Sequence, residues 1–362
     1  MGNNRIKIGV GSFDFIKGAA MIVIIAGHMT FHFDLTKMPL LTPFFACLGL
    51  LQSPFIPLFF IISGYGFKEK PPGKMLHKTF KELIIPYIGV MVAYAIFYPV
   101  SYYYRYQDLN AAVNEGISYT LAFLLGLPER GKVMWGYTLK ECSVVWFLLT
   151  LFLAFNLMNL ILKIKNNAVQ ILLVALSAGV GYVLIVREIT FFCIPQGLIA
   201  LSYCYLGYLM KKYKWIENAS RKFWLYAVWA LLVLVYANWG YFNLCYGDFV
   251  FFPIDYIGAA GMALLLIFLG VFIGRWEWRG LDWVKQIGVH SYWILSIHSV
   301  EMHCVPWGTM SKALSNHQTL AFFLEVILKA VIMTICCKIL KKIGRMKYNR
   351  IKVQHEREKL YR

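Results

Sequence analysis

The sequence predicts an all-α, polytopic membrane protein, because its composition is apolar and its apolar residues fall in long runs. Of the 362 residues, 59% are hydrophobic and only 15% are charged, which is more apolar surface than a soluble core buries. Runs of about 18–25 apolar residues recur along the chain and are long enough to cross a bilayer. The net charge of +18 does not indicate a nucleic-acid partner, because the basic residues lie between these runs and not on one soluble face.

Ten of these runs are predicted to span the membrane. Each is expected to be a helix, since a helix satisfies its own backbone polar groups within lipid. The predicted spans cover residues 15–33, 44–67, 83–104, 143–162, 168–187, 191–210, 222–239, 249–274, 284–305 and 318–340.

The distribution of basic residues predicts the orientation of these spans. Of the 36 Lys and Arg residues, 28 lie in segments on the same side as the amino terminus and only 7 in the alternate segments. Because cytoplasmic loops are enriched in Lys and Arg, both termini are expected in the cytoplasm, which requires an even number of spans. Residues 1–342 are expected to form a single transmembrane domain. Residues 343–362 are expected to form a basic cytoplasmic tail that lies on the anionic inner leaflet.

The cysteines do not indicate a metal site. The eight Cys residues lie mostly inside apolar runs, and the chain has no CxxC and no Cys/His spacing typical of a metal site. No bound metal is therefore expected.

Four ionisable side chains share one face of the first predicted span. They are Asp14, Lys17, His28 and His32. At about 100° per residue they fall within an arc of roughly 60°, and the 11 residues between Lys17 and His28 rise about 16 Å, which brings His28 near the middle of the hydrocarbon layer. Ionisable groups at that depth usually face a protein interior or a water-filled cavity. This face is the first candidate for a functional site.

His28 and Lys17 each allow two interpretations. An imidazole titrates near neutral pH, so His28 can act as a general base towards a hydroxyl group, or it can bond to another helix and serve packing alone. Lys17 can pair with Asp14 three residues away, or it can offer its positive charge to an anionic substrate.

Four stretches of the sequence resemble the acyltransferase-3 family of membrane O-acyltransferases. FDFIKGAAMIVIIAGH, ending at His28, is similar to the first helix of the family, in which an acidic and a basic residue precede the histidine at the same spacing. PLFFIISGYGF (Pro57–Phe67) resembles the FxxSG motif, VVWFLLTLF around Trp146 the WFL segment, and GVHSYWILSIH (Gly288–His298) a late helix that ends in histidine.

The sequence departs from the family pattern at two positions. Lys17 stands where the family commonly has Arg, and a lysine cannot bind a phosphate or carboxylate in a bidentate manner. Lys68 stands where a proline often follows the FxxSG motif.

The resemblance implies transfer of an acyl group, usually acetyl, from acetyl-CoA or another acyl-CoA to a hydroxyl of a cell-envelope sugar, lipid or related acceptor. It also implies a bacterial plasma membrane. The expected partners are acyl-CoA, the acceptor, membrane lipids and a second copy in a homodimer, with no nucleic acid. The resemblance and the chemistry of the residues together give the expected site: His28, Lys17 and Asp14 for catalysis; Lys17, Ser63, Gly64, Lys68, Lys78 and Lys81 for the donor; and His32, Trp146, His298 and Glu301 on the acceptor side, of which Glu301 lies outside the family motifs.

Several of these assignments have an alternative. The lysines after the second span suit the phosphates of coenzyme A, but orientation alone also explains them. Ser63 and Gly64 are expected to make backbone contacts or hydrogen bonds, with an acyl-serine at Ser63 as the less favoured interpretation. Glu301 lies three residues from His298 and can orient its imidazole, whereas Glu325 and Lys329, four residues apart, are expected to neutralise each other as a structural pair.

Two other function classes remain open on the sequence. A secondary transporter of a small polar solute or amino acid would also keep ionisable groups within its spans. A structural subunit of a polysaccharide-export assembly would have no small-molecule cavity.

Overall fold

The protein is almost wholly helical in the computed structural model, which describes residues 11–218, 223–237, 242–276 and 278–360. The helices are α1 (Asp14–Met29), α2 (Thr42–Tyr65), α3 (Pro72–Thr79), α4 (Ile85–Tyr106), α5 (Leu109–Leu125), α6 (Trp146–Ile161), α7 (Asn167–Val186), α8 (Ile194–Lys212), α9 (Phe223–Ala237), α10 (Ile254–Ile273), α11 (Arg279–Val289), α12 (Ser291–Cys304), α13 (Trp307–Ala313) and α14 (Gln318–Leu360). Two short antiparallel hairpins join β1 (Val133–Met134) to β2 (Tyr137–Thr138) and β3 (Phe242–Asn243) to β4 (Asp248–Phe249).

Seven helical segments in the described residues are long and apolar enough to cross a membrane. They are Asp14–His32, Pro72–Tyr106, Ser143–Ile161, Asn167–Val186, Phe191–Lys212, Ile254–Ile273 and Gln318–Cys336. Helix α2 adds an eighth when its two parts are taken together. These parts meet at an angle of 41° between Gly49 and Ser53, next to Pro54 inside the helix, where a proline removes a backbone hydrogen bond. The protein is therefore a polytopic membrane protein.

Two of the ten predicted spans are not among these candidates. Helix α9, within the predicted span 222–239, has 15 residues, and the adjoining residues 219–222 and 238–241 lie outside the described part. The predicted span 284–305 is divided at His290 into α11 and the 14-residue α12. The count of ten spans thus stays a prediction.

Successive spans run in opposite directions, so the bundle has two faces. The amino-terminal face carries the start of α1, and the distal face carries the connections around residues 30–41 and 107–145. The β3–β4 hairpin also lies at the distal face, because its Gly247 packs on Ile185 at the end of α7. The connection 107–145 contains the 17-residue helix α5. Helix α5 packs closely on α4, where a Cβ on Gly116 would lie 2.5 Å from the Pro99 ring.

Glycines bring α1 and α11 into backbone contact. A Cβ built on Gly18 would lie 1.9 Å from the carbonyl oxygen of Val284, and one on Gly288 would lie 1.8 Å from that of Asp14. No larger residue fits at these distances, as is usual where membrane helices cross closely. This contact fixes the start of α12 beside α1.

Glycines also bring α2 and α8 into backbone contact. A Cβ on Gly64 would lie 1.9 Å from the Cys204 carbonyl oxygen, and one on Gly207 would lie 1.9 Å from that of Ile61. Gly64, expected at the donor site, therefore lies in a helix crossing.

We expect Gly207→Ala to destabilise the protein, because its methyl group would overlap the Ile61 carbonyl and force the two helices apart. Overpacking of this kind typically costs about 1–3 kcal/mol. The matched control is Gly89→Ala on α4, where a Cβ meets nothing within 4 Å. Thermal unfolding in detergent should give a lower midpoint for Gly207→Ala only; equal midpoints for the two variants would contradict the close crossing.

Candidate functional site

A cavity of about 1440 Å³ lies inside the bundle and has groups of both faces in its wall. Lys17 lines it near the amino-terminal face, and Arg130 and Asp248 line it near the distal face. His28 and His32 line it between these ends. The cavity is large enough for a small-molecule substrate.

The first span, Asp14–His32, brings three of its four ionisable residues to this cavity. Lys17, His28 and His32 are in the cavity wall, whereas Asp14 pairs with Lys17 through a 2.7 Å contact between Oδ1 and Nζ. Lys17 therefore pairs with Asp14 and also lines the cavity. The two interpretations of Lys17, an ion pair with Asp14 and a contact with an anionic substrate, are compatible. Gly18, on the same helix, serves the crossing with α11.

A chain of hydrogen bonds leads from His28 into the protein interior. His28 Nδ1 lies 3.1 Å from Nε2 of His298 on α12, and His298 Nδ1 lies 2.7 Å from Oε1 of Glu301. An ionised carboxylate only accepts hydrogen bonds, so a neutral His298 donates its Nδ1–H to Glu301 and accepts at Nε2. His28 then donates its own Nδ1–H, which leaves the lone pair of His28 Nε2 available for a proton. This tautomer follows from the network and suits a general base.

Glu301 is held by two further donors. Nζ of Lys329 on α14 lies 2.8 Å from each carboxylate oxygen, and Nε1 of Trp307 donates to Oε2 at 2.6 Å. All three side chains are buried. Since a buried carboxylate with a cation and several donors stays ionised at low cost, Glu301 is a fixed acceptor for His298.

The same lysine reaches a second carboxylate on its own helix. Lys329 Nζ lies 3.4 Å from Glu325 Oε1, and this oxygen lies 2.8 Å from His32 Nδ1. The six residues His28, His298, Glu301, Lys329, Glu325 and His32 form one connected set, which we call the buried network. The network begins and ends on cavity-lining histidines of the first span, so Glu325 and Lys329, which the sequence presented as an isolated pair, are connected to the site.

The other predicted site residues divide into two groups. Ser63 and Trp146 line the cavity. Lys68, Lys78 and Lys81 are not among the lining residues, and Lys78 lies 3.5 Å from Glu82 in a surface ion pair. His298 and Glu301, expected on the acceptor side, are buried behind His28 and are not among the residues that line the cavity.

The distal end of the cavity carries an ion pair that sequence reasoning missed. Arg130 donates through Nε and Nη2 to the two carboxylate oxygens of Glu141, at 2.6 and 2.5 Å. Glu141 is buried, and its hydrogen bonds with Arg130 raise the pKa of the guanidinium. Nε2 of His303 lies 3.7 Å from Glu141 Oε1. One signal was present in the sequence, since Glu141 lies five residues before Trp146 of the WFL segment.

No metal centre is evident in the part of the chain that the structure describes. Within it, no group of three or more His, Cys, Asp or Glu side chains is arranged to hold a metal ion. The histidines of the site instead bond to each other and to carboxylates.

Comparison with known families identifies the chain. The family model described as an acyltransferase domain, that of the acyltransferase-3 family, matches residues 10–342. Neither the search of curated proteins nor that of solved structures gave a match. The matched segment contains every helix from α1 to α13, the cavity and the buried network. With its membrane-spanning helices, this chain belongs to the acyltransferase-3 family and is a membrane acyltransferase.

Proposed function

We propose that the protein transfers an acyl group, acetyl in the simplest case, from acyl-CoA to a hydroxyl of a cell-envelope acceptor, with His28 as general base. The observation that carries this proposal is the position of His28. Its ring lies in the cavity wall, between groups of the two faces, and its Nδ1 is bonded to the chain formed by His298 and Glu301. A histidine that served packing alone would need neither the cavity nor the carboxylate behind it.

The reaction follows from this arrangement as a single displacement. His28 Nε2 accepts the proton of the acceptor hydroxyl while the hydroxyl oxygen attacks the thioester carbonyl carbon. The new C–O bond forms, the C–S bond breaks, and the proton passes from His28 to the departing CoA thiolate. Between these two proton transfers, His28 and His298 share a positive charge, which the Glu301 carboxylate stabilises. No acyl-serine is required, and Ser63 serves as a hydrogen-bonding group in the cavity wall.

The donor is proposed to enter from the amino-terminal face, which the bias of basic residues assigns to the cytoplasm. Coenzyme A is a cytoplasmic polyanion, and Lys17 is the cation that this end of the cavity offers among its lining residues. Lys68, Lys78 and Lys81 lie on the same face outside the cavity, where they suit the nucleotide phosphates of a donor that projects from it.

The acceptor is proposed to bind in the distal part of the cavity. Polar groups of the wall there include Arg130, Glu141, Asn243 and Asp248, and Trp146 adds an aromatic surface. Charged and amide groups around an aromatic ring suit a molecule with several hydroxyls, such as an envelope carbohydrate or the head of a lipid acceptor. His32, in the short 3₁₀ turn Thr30–His32 that follows α1, lines the same cavity.

We expect His28→Ala to lower acyl transfer by at least about 100-fold, because a general base typically contributes that factor or more. Release of the CoA thiol from acetyl-CoA by the purified protein in detergent measures the rate. The matched control is His317→Ala, an exposed histidine outside the cavity, which should keep the wild-type rate. Thermal unfolding of both variants separates loss of chemistry from loss of fold.

Wild-type thiol release by folded His28→Ala would remove the assignment of His28 as the base. A wild-type protein that neither binds nor cleaves acetyl-CoA, but moves a small solute into proteoliposomes, would favour the transport alternative over acyl transfer.

We expect Lys17→Met to raise the KM for acetyl-CoA about tenfold or more, since hydrogen bonds to charged groups contribute about 1.5–3 kcal/mol, and to change kcat much less. Lys17→Arg should restore the wild-type KM because it keeps the charge. The control is Lys163→Met, because Lys163 is an exposed lysine on the same face. The KM of this variant for acetyl-CoA should equal that of the wild type. If Lys17→Met kept the wild-type KM for acetyl-CoA, Lys17 would not bind the donor, and its role would be limited to the ion pair with Asp14.

A further inference from the structure

The buried network holds unequal numbers of opposite charges. Glu301 and Glu325 are both buried carboxylates, and Lys329 is the buried ammonium group that lies between them. With neutral imidazoles the network therefore has a net charge of −1. Glu325 Oε2 is buried and finds no hydrogen-bond partner among the described residues, so the negative charge of this carboxylate is incompletely compensated. One proton on a histidine would bring the network to neutrality.

Lys329 also fixes the geometry of the site. Its two 2.8 Å contacts hold both oxygens of Glu301, and its ammonium group lies 4.7 Å from the centre of the Trp307 ring, where a cation is attracted to the aromatic face. The Glu301 carboxylate thus lies between Lys329 and Trp307 on one side and His298 on the other. If Lys329 were removed, Glu301 would lose two of its hydrogen bonds and its only close cation in the described network.

We propose that Lys329 is a positioning residue of the acyl-transfer site, which holds Glu301 against His298 and, balanced by Glu325, sets the proton affinity of the cavity histidines His28 and His32. This inference rests on the proposed function in one respect, because acyl transfer is taken as the reaction that these histidines serve. The charge relation itself follows from the network.

Other charged or titratable groups face His28 as well. They are His298, Glu301 and His303 on α12, His32 in the turn after α1, Glu325 and Lys329 on α14, and the Arg130–Glu141 pair beyond His303. The charges of Arg130 and Glu141 neutralise each other. Helix α2 carries no Asp, Glu, Lys or Arg between Thr42 and Tyr65. The uncompensated charge near the cavity histidines is therefore that of Glu301, Glu325 and Lys329.

The test changes this charge in both directions. Lys329→Met leaves the network at −2, so the histidines should keep their proton to higher pH. Glu325→Gln leaves it at zero, so they should lose their proton at lower pH. Each shift should be on the order of one pH unit, the size typical of a close charge, and the double variant Glu325→Gln/Lys329→Met, again at −1, should return close to the wild type.

The measurement is the reaction of His28 and His32 with diethyl pyrocarbonate, which modifies the neutral imidazole, followed by mass spectrometry between pH 4 and 9. Opposite shifts of the midpoint in the two single variants, with return in the double variant, are expected. Shifts in one direction, or none, would overturn the proposal. Lys338→Met, an exposed lysine on the same helix, should match the wild type. If Lys329→Met does not fold, Glu325→Gln and the double variant still differ by one charge and decide the matter.

The pH dependence of CoA thiol release from acetyl-CoA separates this inference from the proposed function. A general base must be neutral to act, so the acidic limb of the activity profile should move with the diethyl pyrocarbonate midpoint. Opposite midpoint shifts with an unmoved acidic limb would support the role of Lys329 in setting the charge and would remove His28 as the base.

Discussion

The hydrogen bond between His28 on α1 and His298 on α12 is the contact on which the site depends. It is 3.1 Å long, and it links a side chain in the cavity wall to carboxylates and an ammonium group that are shielded from solvent. Because the low dielectric of the interior makes an unpaired buried charge costly, the partners of this network constrain one another. Helices α1, α12 and α14 must keep their relative positions for any of them to be satisfied.

Backbone contacts between helices provide that constraint. Gly18 and Gly288 let α1 and α11 approach until a side chain would overlap a carbonyl oxygen, and α12 begins two residues after α11 ends. The position of His298 relative to His28 is therefore set at the amino-terminal face, several turns from the histidines. Membrane helices lack a hydrophobic driving force for association within lipid, so small residues and polar bonds of this kind determine how they pack.

Much of the fold and part of the site were predictable from the sequence. Apolar runs predicted the helical membrane class and seven of the ten spans, or eight when the bent helix α2 is counted as one, because span length follows from bilayer thickness. The break at His290 was missed because the span 284–305 was predicted as one helix, although α11 is amphipathic and carries Arg279, Asp282 and Lys285. The spacing of Lys17, His28 and His32 gave their common face, because neighbours on one helix are fixed by its pitch. Lys68, Lys78 and Lys81 were grouped by sequence proximity, which does not determine whether side chains reach a cavity.

The sequence by itself thus determined the class of protein, the face of α1 that carries ionisable groups and, through ordered motifs, the family. Only the tertiary structure decided which distant groups complete the site. Lys329 lies four residues from Glu325, so local pairing was the natural expectation, yet its shortest contacts are to Glu301 on another helix. Contacts between helices depend on how the whole bundle packs, and spacing along a single chain does not encode them.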